Sequence, residues 1–460
     1  MQYHGPVTGE KAGMLHFSGP DPLWKDMKRR LKNLQDNGHP FAYFRLDTIG
    51  YRFRTARFCG YLDAGPPVLN GPLVVHGDSG ISVPLVGRWI RFLPGRNFSV
   101  SVADRVPEVL KSLPFVQSIQ PPELEWFGNQ AIMHVYLRKR FPNSLNGIVG
   151  LLPGQGTDRK LLLTGNLDAA FSNLFNRGMA FSLRWSRFAP ASQQAFLALD
   201  HPFLTESGMG VSGKFEFIRQ DSLYFSRKSS LEILLPMGPN WQVKTGIQLL
   251  QSSERSPNEV YSRSQSVSSL VLGIDLPEGP PDRINPGGRS FSLRVVPGYK
   301  TRNQTGQKVS FSQLEIRCRA KNVLFHNRKR FWLRGSADVG LTSSSGLLLA
   351  DQFRIGGLRS LRGFNENQFF STAHLLLGIQ PAWLFESGFL FSFFTESLSF
   401  QPDPGLFSFK RLRQVLGFGF SADFEAGPNL IQISIANGWS GNEPPDAAST
   451  KIHFGYVTRF

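Results

Sequence analysis

From about residue 146 to the end of the chain, hydrophobic and polar positions alternate one for one. In "MAFSLRWSRF", Met179, Phe181, Leu183 and Trp185 stand against Ala180, Ser182, Arg184 and Ser186. "WQVKTGIQLL" sets Trp241, Val243, Thr245 and Ile247 against Gln242, Lys244, Gly246 and Gln248, and "FWLRGSADVGL" sets Phe331, Leu333, Gly335, Ala337 and Val339 against Arg334, Ser336 and Asp338. A period of two is the signature of strands with one apolar and one polar face. About sixteen such segments can be placed, beginning near residues 147, 160, 177, 192, 209, 221, 240, 264, 289, 307, 329, 373, 387, 411, 428 and 451. Strands of roughly 9 to 11 residues, apolar on one side only, suit a tilted crossing of a bilayer. Their backbone groups must be paired within the sheet, so the sheet must close. The predicted fold is an all-β membrane barrel of about 16 antiparallel strands preceded by α+β modules. A soluble sandwich or propeller is the alternative, but blade-type repeats are absent.

The first 144 residues follow a different grammar. "LWKDMKRRLKNLQDN" has helical spacing at Leu23, Met27, Leu31 and Leu34, with Gly38 as a stop. "FAYFRLDTI" and "ARFCGYLDAG" read as strands. A second unit opens with the strand "LVVHGD", continues with helices in "VPLVGRWIRFL" and "VADRVPEVLKSLPFV", and closes with the strands "PELEWF" and "AIMHVYLRK". That order is β-α-α-β-β. The first unit shows only a helix and the closing strand pair, so its opening strand and helix are missing or unrecognisable. The boundaries are 1–71 for a partial module, 72–144 for a complete one and 145–460 for the barrel, with a long loop near 342–370.

Composition agrees. The chain holds 46 Gly and 40 Phe with 18% charged residues, which favours β structure. No apolar run approaches the ~18 to 20 residues of a membrane helix. Net charge is +17, shared between the two halves, so there is no basic arm for nucleic acid. Attraction to an anionic membrane or acidic surface polymer suits the charge better. Cys59 and Cys318 stand far apart and form neither a metal spacing nor a disulfide framework. "HGDSGIS" around Ser79 lacks a placed His and Asp, since His76 shares its short strand. "GQGTDRK" lacks the ending of a phosphate loop, and no HExxH stretch appears. The expectation is a non-enzyme with no cofactor and no metal.

The loop "FRIGGLRSLRGFNENQF" carries the most specific residues. Gly356, Gly357, Arg362, Gly363 and Phe364 form a "GG…RGF" pattern that resembles the signature of the BamA/TamA superfamily of outer-membrane assembly and translocation proteins, which includes the two-partner secretion transporters. The resemblance implies N-terminal POTRA modules of β-α-α-β-β order and a sixteen-stranded barrel, with the signature in a loop between strands 11 and 12. Alternation independently puts eleven strands before residue 342 and five after 370. The resemblance further implies that the loop enters the lumen and that its arginine docks on the wall. A guanidinium offers a fixed fork of donors to a carboxylate. The family's aspartate position falls here on Thr395, with Glu396 beside it. Neighbouring strand residues face opposite sides, so Glu396 reaches Arg362 only through a bulge or a shifted register. Asp338 is the other candidate.

The first barrel strand, "NGIVGLLPG", concentrates Gly147, Gly150, Pro153 and Gly154, which weaken pairing. One reading is a seam that opens laterally and accepts an incoming strand; the other is a tight turn out of the preceding module. The last strand ends with Phe454, Tyr456 and Phe460, resembling the terminal signal by which such barrels are recognised for insertion. The family implies a place in the bacterial outer membrane with POTRA modules in the periplasm. It also implies unfolded outer-membrane or secreted polypeptides, outer-membrane lipids and accessory periplasmic proteins or lipoproteins as partners. The role expected is assembly and insertion, with secretion of a dedicated partner or another pore as the alternative. No export signal is visible, so an upstream strand, helix and signal are expected.

Overall fold

The computed structural model describes residues 2–3 and 20–459, apart from 53–54, 114, 141–142, 154–160, 190–191, 206–207, 221–223, 238–240, 256–261, 277–288, 305–306, 328–329, 345–346, 358–359, 386–387, 404–406, 427–428 and 442–449. The chain divides into two compact units, 1–140 and 141–460.

The first unit contains two three-stranded sheets. In the second of its modules, β4 (Leu69–Gly77) leads to α2 (Val83–Ile90) and α3 (Val100–Ser112), then to β5 (Val116–Phe127) and β6 (Gln130–Lys139). The sheet order is β4-β6-β5, with β4 parallel and β5 antiparallel to β6. Ala131, Met133, Val135 and Leu137 alternate along one face of β6 and are buried with Leu85, Val86, Ile90, Val106 and Leu110 of the helices. Ser99 caps α3 by accepting a hydrogen bond from Val102 N–H.

The preceding module holds α1 (Pro20–Asp36), β2 (Tyr43–Arg52) and β3 (Thr55–Asp63). Its sheet also has a third strand, so the opening strand is unrecognisable in the pattern rather than missing. β1 (Gln2–Tyr3) pairs parallel with β3, as β4 does with β6. Two residues are too short to leave an alternating pattern. The two modules meet through Asp36 at the end of α1. Its carboxylate accepts from Ser101 N–H (2.8 Å) and from the hydroxyls of Ser101 (2.8 Å) and Ser99 (2.9 Å), at the N-terminus of α3.

The second unit is a closed sixteen-stranded antiparallel barrel. Eleven strands come first: Ser144–Pro153 (β7), Leu161–Leu174 (β8), Met179–Ala189 (β9), Ser192–His201 (β10), Gly210–Gln220 (β11), Tyr224–Met237 (β12), Trp241–Arg255 (β13), Ser262–Leu276 (β14), Ser290–Gln304 (β15), Gln307–Asn327 (β16) and Phe331–Ser344 (β17). A long loop follows, with two short strands of its own, Phe353–Ile355 (β18) and Phe369–Ser371 (β19), paired as a hairpin. The wall resumes with Ala373–Phe385 (β20), Phe389–Gln401 (β21), Arg413–Ala426 (β22), Asn429–Trp439 (β23) and Lys451–Arg459 (β24). The eleven-plus-five division around the loop is as the alternation predicts.

Burial in this unit is inverted relative to a water-soluble protein. On β13, Ile247 and Leu249 are 57% and 51% exposed, while Gln248 and Ser252 between and beyond them are buried. On β21, Phe393 faces out and Ser392, Phe394 and Glu396 face in. An apolar exterior around a polar interior is the arrangement that lets a closed sheet span a bilayer. No described helix is long and apolar enough to cross a membrane.

Candidate functional site

The loop between β17 and β20 folds into the lumen. Gly356, Gly357 and Gly363 have φ of 130°, 93° and 92°, the left-handed side that side chains resist. At Gly363 the backbone lies against the carbonyl of Asn437 on β23, where a Cβ would collide. Leu361 is wholly buried and Phe364 nearly so, in a cluster with Ile355, Leu398, Phe400 and Val415. Phe364 lies over Gly438, whose missing side chain makes the room: a Cβ there would stand 2.6 Å from the ring. The apolar pattern in a polar segment is explained by this core inside the lumen.

Arg362 meets Glu396 on β21. One carboxylate oxygen accepts from Nε at 2.7 Å and from Nη2 at 2.5 Å, and the other accepts from the backbone N–H of Arg362 at 2.7 Å. The guanidinium carbon also stands 3.4 Å over the Phe394 ring. The expected bulge or register shift is not what brings Glu396 inward. The β20–β21 and β21–β22 registers run unbroken past it, pairing it with Gly378 and Gly417. Glu396 shares the lumen face of Phe394 and Leu398 by plain alternation, and Thr395 faces outward. Glycines on both flanks let the loop lie against the wall; a Cβ on Gly417 would strike the Arg362 carbonyl. Asp338 is not the partner of Arg362. It takes a bidentate pair from Arg317 at 3.1 and 2.6 Å, with His374 at 3.5 Å.

A second anchor holds the same loop on another part of the wall, and sequence reasoning missed it. Asp351 lies in a single 3-10 turn, Leu349–Asp351. Its carboxylate pairs with Lys300 Nζ on β15 at 2.7 Å, and both side chains are wholly shielded from solvent. Gln265 on β14 donates to the other oxygen at 2.6 Å, and Leu348 N–H donates at 3.0 Å. Glu254 on β13 accepts from Leu349 N–H at 3.0 Å. Arg354 reaches Tyr224 at 3.3 Å and Glu216 at 3.6 Å, and Asn367 reaches Gln194 at 3.1 Å. The loop therefore bridges β10–β15 on one side and β21–β23 on the other. The only sequence signal was a lysine, Lys300, at a lumen-facing position of an alternating strand.

The seam is the second candidate feature. β24 and β7 close the barrel at Val457↔Asn146, Thr458↔Leu145 and Arg459↔Ser144. Among the described residues these three pairs are the whole junction. The ladders of β13–β14 and β15–β16 run to 14 and 15 positions. The weakness lies on the β24 side alone. β7 pairs along its full length with β8, and Gly150 and Pro153 sit opposite Thr164 and Leu161. Gly154 and Phe460 lie outside the described residues, while Phe454 and Tyr456 are exposed on the outer face with Ile452.

The geometry thus defines a sixteen-stranded barrel with a lumen-docked loop and a short closing seam. Two solved structures of CdiB share this fold. CdiB from Acinetobacter baumannii is 12% identical with a TM-score of 0.58, over 96% of this chain and 82% of that one. CdiB from Escherichia coli is likewise 12% identical with a TM-score of 0.57, over 96% and 85%. BamA from Haemophilus ducreyi lacking POTRA domains 1–3 is 15% identical with a TM-score of 0.48, over 99% and 96%. No family model matches the chain, and no curated protein does either.

Proposed function

We propose that the chain is an outer-membrane factor that inserts or assembles β-rich polypeptides, with its two N-terminal modules acting as periplasmic POTRA modules. The carrying observation is the seam of three paired positions in a wall otherwise held by long ladders. Beyond that junction, β24 presents backbone groups that an unfolded strand can pair with. The sheets of the first unit offer further edges for strand addition, so an incoming chain is held extended before it reaches the barrel. The loop signature around Arg362 supports the same family reading.

Secretion of a dedicated partner through the lumen is the second reading. It is favoured by the fold shared with CdiB over most of both chains. The two differ in which part must move: the seam for insertion, the loop for secretion. A disulfide between Leu145→Cys and Thr458→Cys, which face each other across the junction, distinguishes them, with Cys59 and Cys318 replaced by serine. Insertion predicts that oxidation abolishes activity and that reduction restores it. In cells, depletion should then lower many outer-membrane barrels at once. Unchanged activity in the oxidised form, with loss of one secreted protein on depletion, would establish secretion instead.

A further inference from the structure

The outer wall changes character on one sector. On β12–β14, Leu231, Ile247 and Leu270 form an outward apolar row, each paired with the next. Two residues nearer the rim the row is Ser229, Leu249, Ser268 and Tyr299. The following row is Arg227, Gln251, Ser266 and Thr301, and beyond it stand Phe225, Ser253 and Ser264. Arg219 pairs with Phe225 at the same level, and Arg255 ends β13 on this face. The strands thus continue past the apolar band as a sheet whose outer face is hydroxyls, amides and arginines. Gln251, Ser253, Ser264, Ser266, Thr301 and Phe225, with Ser252 and Gln265 between them on the strands, line an open cavity of about 410 Å³ there. Arg227 donates to Gln251, one of the lining residues, at 2.6 Å. Among the described residues, every charged side chain on the outward face of β11–β15 above the apolar band is an arginine; Glu216 and Glu254 of the same strands point into the lumen.

The rim can be assigned. The chain enters the barrel at Ser144, the start of the first barrel strand, and the lumen loop leaves from Ser344, the end of the eleventh. Odd strands end at the opposite rim, so Tyr224, Arg255 and Ser262 share the loop's rim. With the N-terminal modules in the periplasm, as proposed above, that rim faces outward and borders the outer leaflet.

We infer that this face binds the phosphorylated sugar headgroups of an outer-leaflet glycolipid, an inference that rests on the outer-membrane reading. Hydroxyl and amide side chains suit sugar hydroxyls, and guanidinium forks suit phosphate. The apolar row of Leu231, Ile247 and Leu270, two rows below, accepts acyl chains, so one amphipathic molecule satisfies both levels.

The test uses the full chain in detergent, with a bisphosphorylated glucosamine glycolipid, its dephosphorylated form and inorganic phosphate as probes in native mass spectrometry. The phosphorylated glycolipid should be retained, and the other two should not. Replacing Arg219, Arg227 and Arg255 with glutamine should weaken retention by about a hundredfold, the order expected for three cations near an anionic surface. Unchanged gel mobility before and after heating shows that the variant still folds. Equal binding of the neutral glycolipid, full retention by the triple variant, or a dimer in place of bound lipid would each overturn the inference. In cells, Ser253→Cys with the native cysteines replaced should react with a membrane-impermeant maleimide. Failure of that labelling would instead refute the location on which the inference rests.

Discussion

At the scale of single residues, the lumen loop is held by two ion pairs of different kinds. Arg362 and Glu396 retain some solvent access, at 15% and 11% of their side-chain surface, whereas Lys300 and Asp351 have none. A wholly buried pair adds little over an apolar pair, but removing one partner strands a charge, typically costing about 3 to 5 kcal/mol. The expected behaviour is therefore non-additive. Lys300→Met alone leaves a buried carboxylate with only Gln265 and the Leu348 N–H for support. Asp351→Asn alone leaves a buried ammonium. Each should loosen the Asp351 end of the loop while Arg362 and Glu396 hold the other, seen as faster proteolysis near residues 347–357 and as noisier single-channel conductance. The double variant should recover most of the protection, to within about 1 kcal/mol in a double-mutant cycle. Additive effects would show that the pair does not act as a unit. By contrast, Arg362→Lys should fail to rescue Arg362→Ala, because a lysine cannot reproduce the fork on Glu396 together with the cation over Phe394.

At the scale of elements, one carboxylate at the junction of the two N-terminal modules stands beside the ring contact of Phe41 with Trp126. Burial by itself would raise the pKa of Asp36. The hydrogen bonds from Ser101 N–H and the Ser101 and Ser99 hydroxyls, with the charge of Lys32, outweigh burial and hold it below the ordinary aspartate value. A depressed folded-state pKa contributes stability that is present above the unfolded value, about 3.9. That stability is lost as pH falls through the lower folded value. Amide exchange at the start of α3, corrected for intrinsic rates, should therefore accelerate on acidification below about pH 4. In Asp36→Asn it should be faster already at neutral pH, by the ~1 kcal/mol of a lost cap, and flat with pH. The helices and strands of this region were legible because Leu110, Met133 and Val135 fall on regular periods. The Asp36 contact was not, because it joins residues 65 positions apart. The same limit applies in the barrel. Alternation located every wall strand to within about three residues, but with Thr395 taken as the lumen position it put Glu396 on the outer face, the reverse of what the structure has. The pairing of Asp351 with Lys300 depends on how a 28-residue loop crosses the lumen, and no local pattern records that.

At the scale of the whole molecule, a closed sheet is only as secure as its weakest ladder. Fifteen junctions link neighbours in the order of the wall strands. The sixteenth, β24 to β7, joins the two ends of the barrel chain and rests on three positions among the described residues. The loop's anchors on β10–β15 and β21–β23 brace the rest of the wall. Opening the seam therefore need not undock the loop, whereas a clear lumen requires both ion pairs to break. The barrel should accordingly show two levels of opening. Hydrogen exchange of the full chain in lipid discs should deprotect residues 451–456 of β24 well before β13–β16, each joined to both neighbours by ten or more paired positions. A peptide of alternating apolar and polar residues, added in excess, should protect those β24 amides through strand addition. It should leave exchange in the loop segment 347–357 unchanged. If the loop and the seam lose protection together, they open as one unit, and the barrel gates by clearing its lumen rather than by parting its wall.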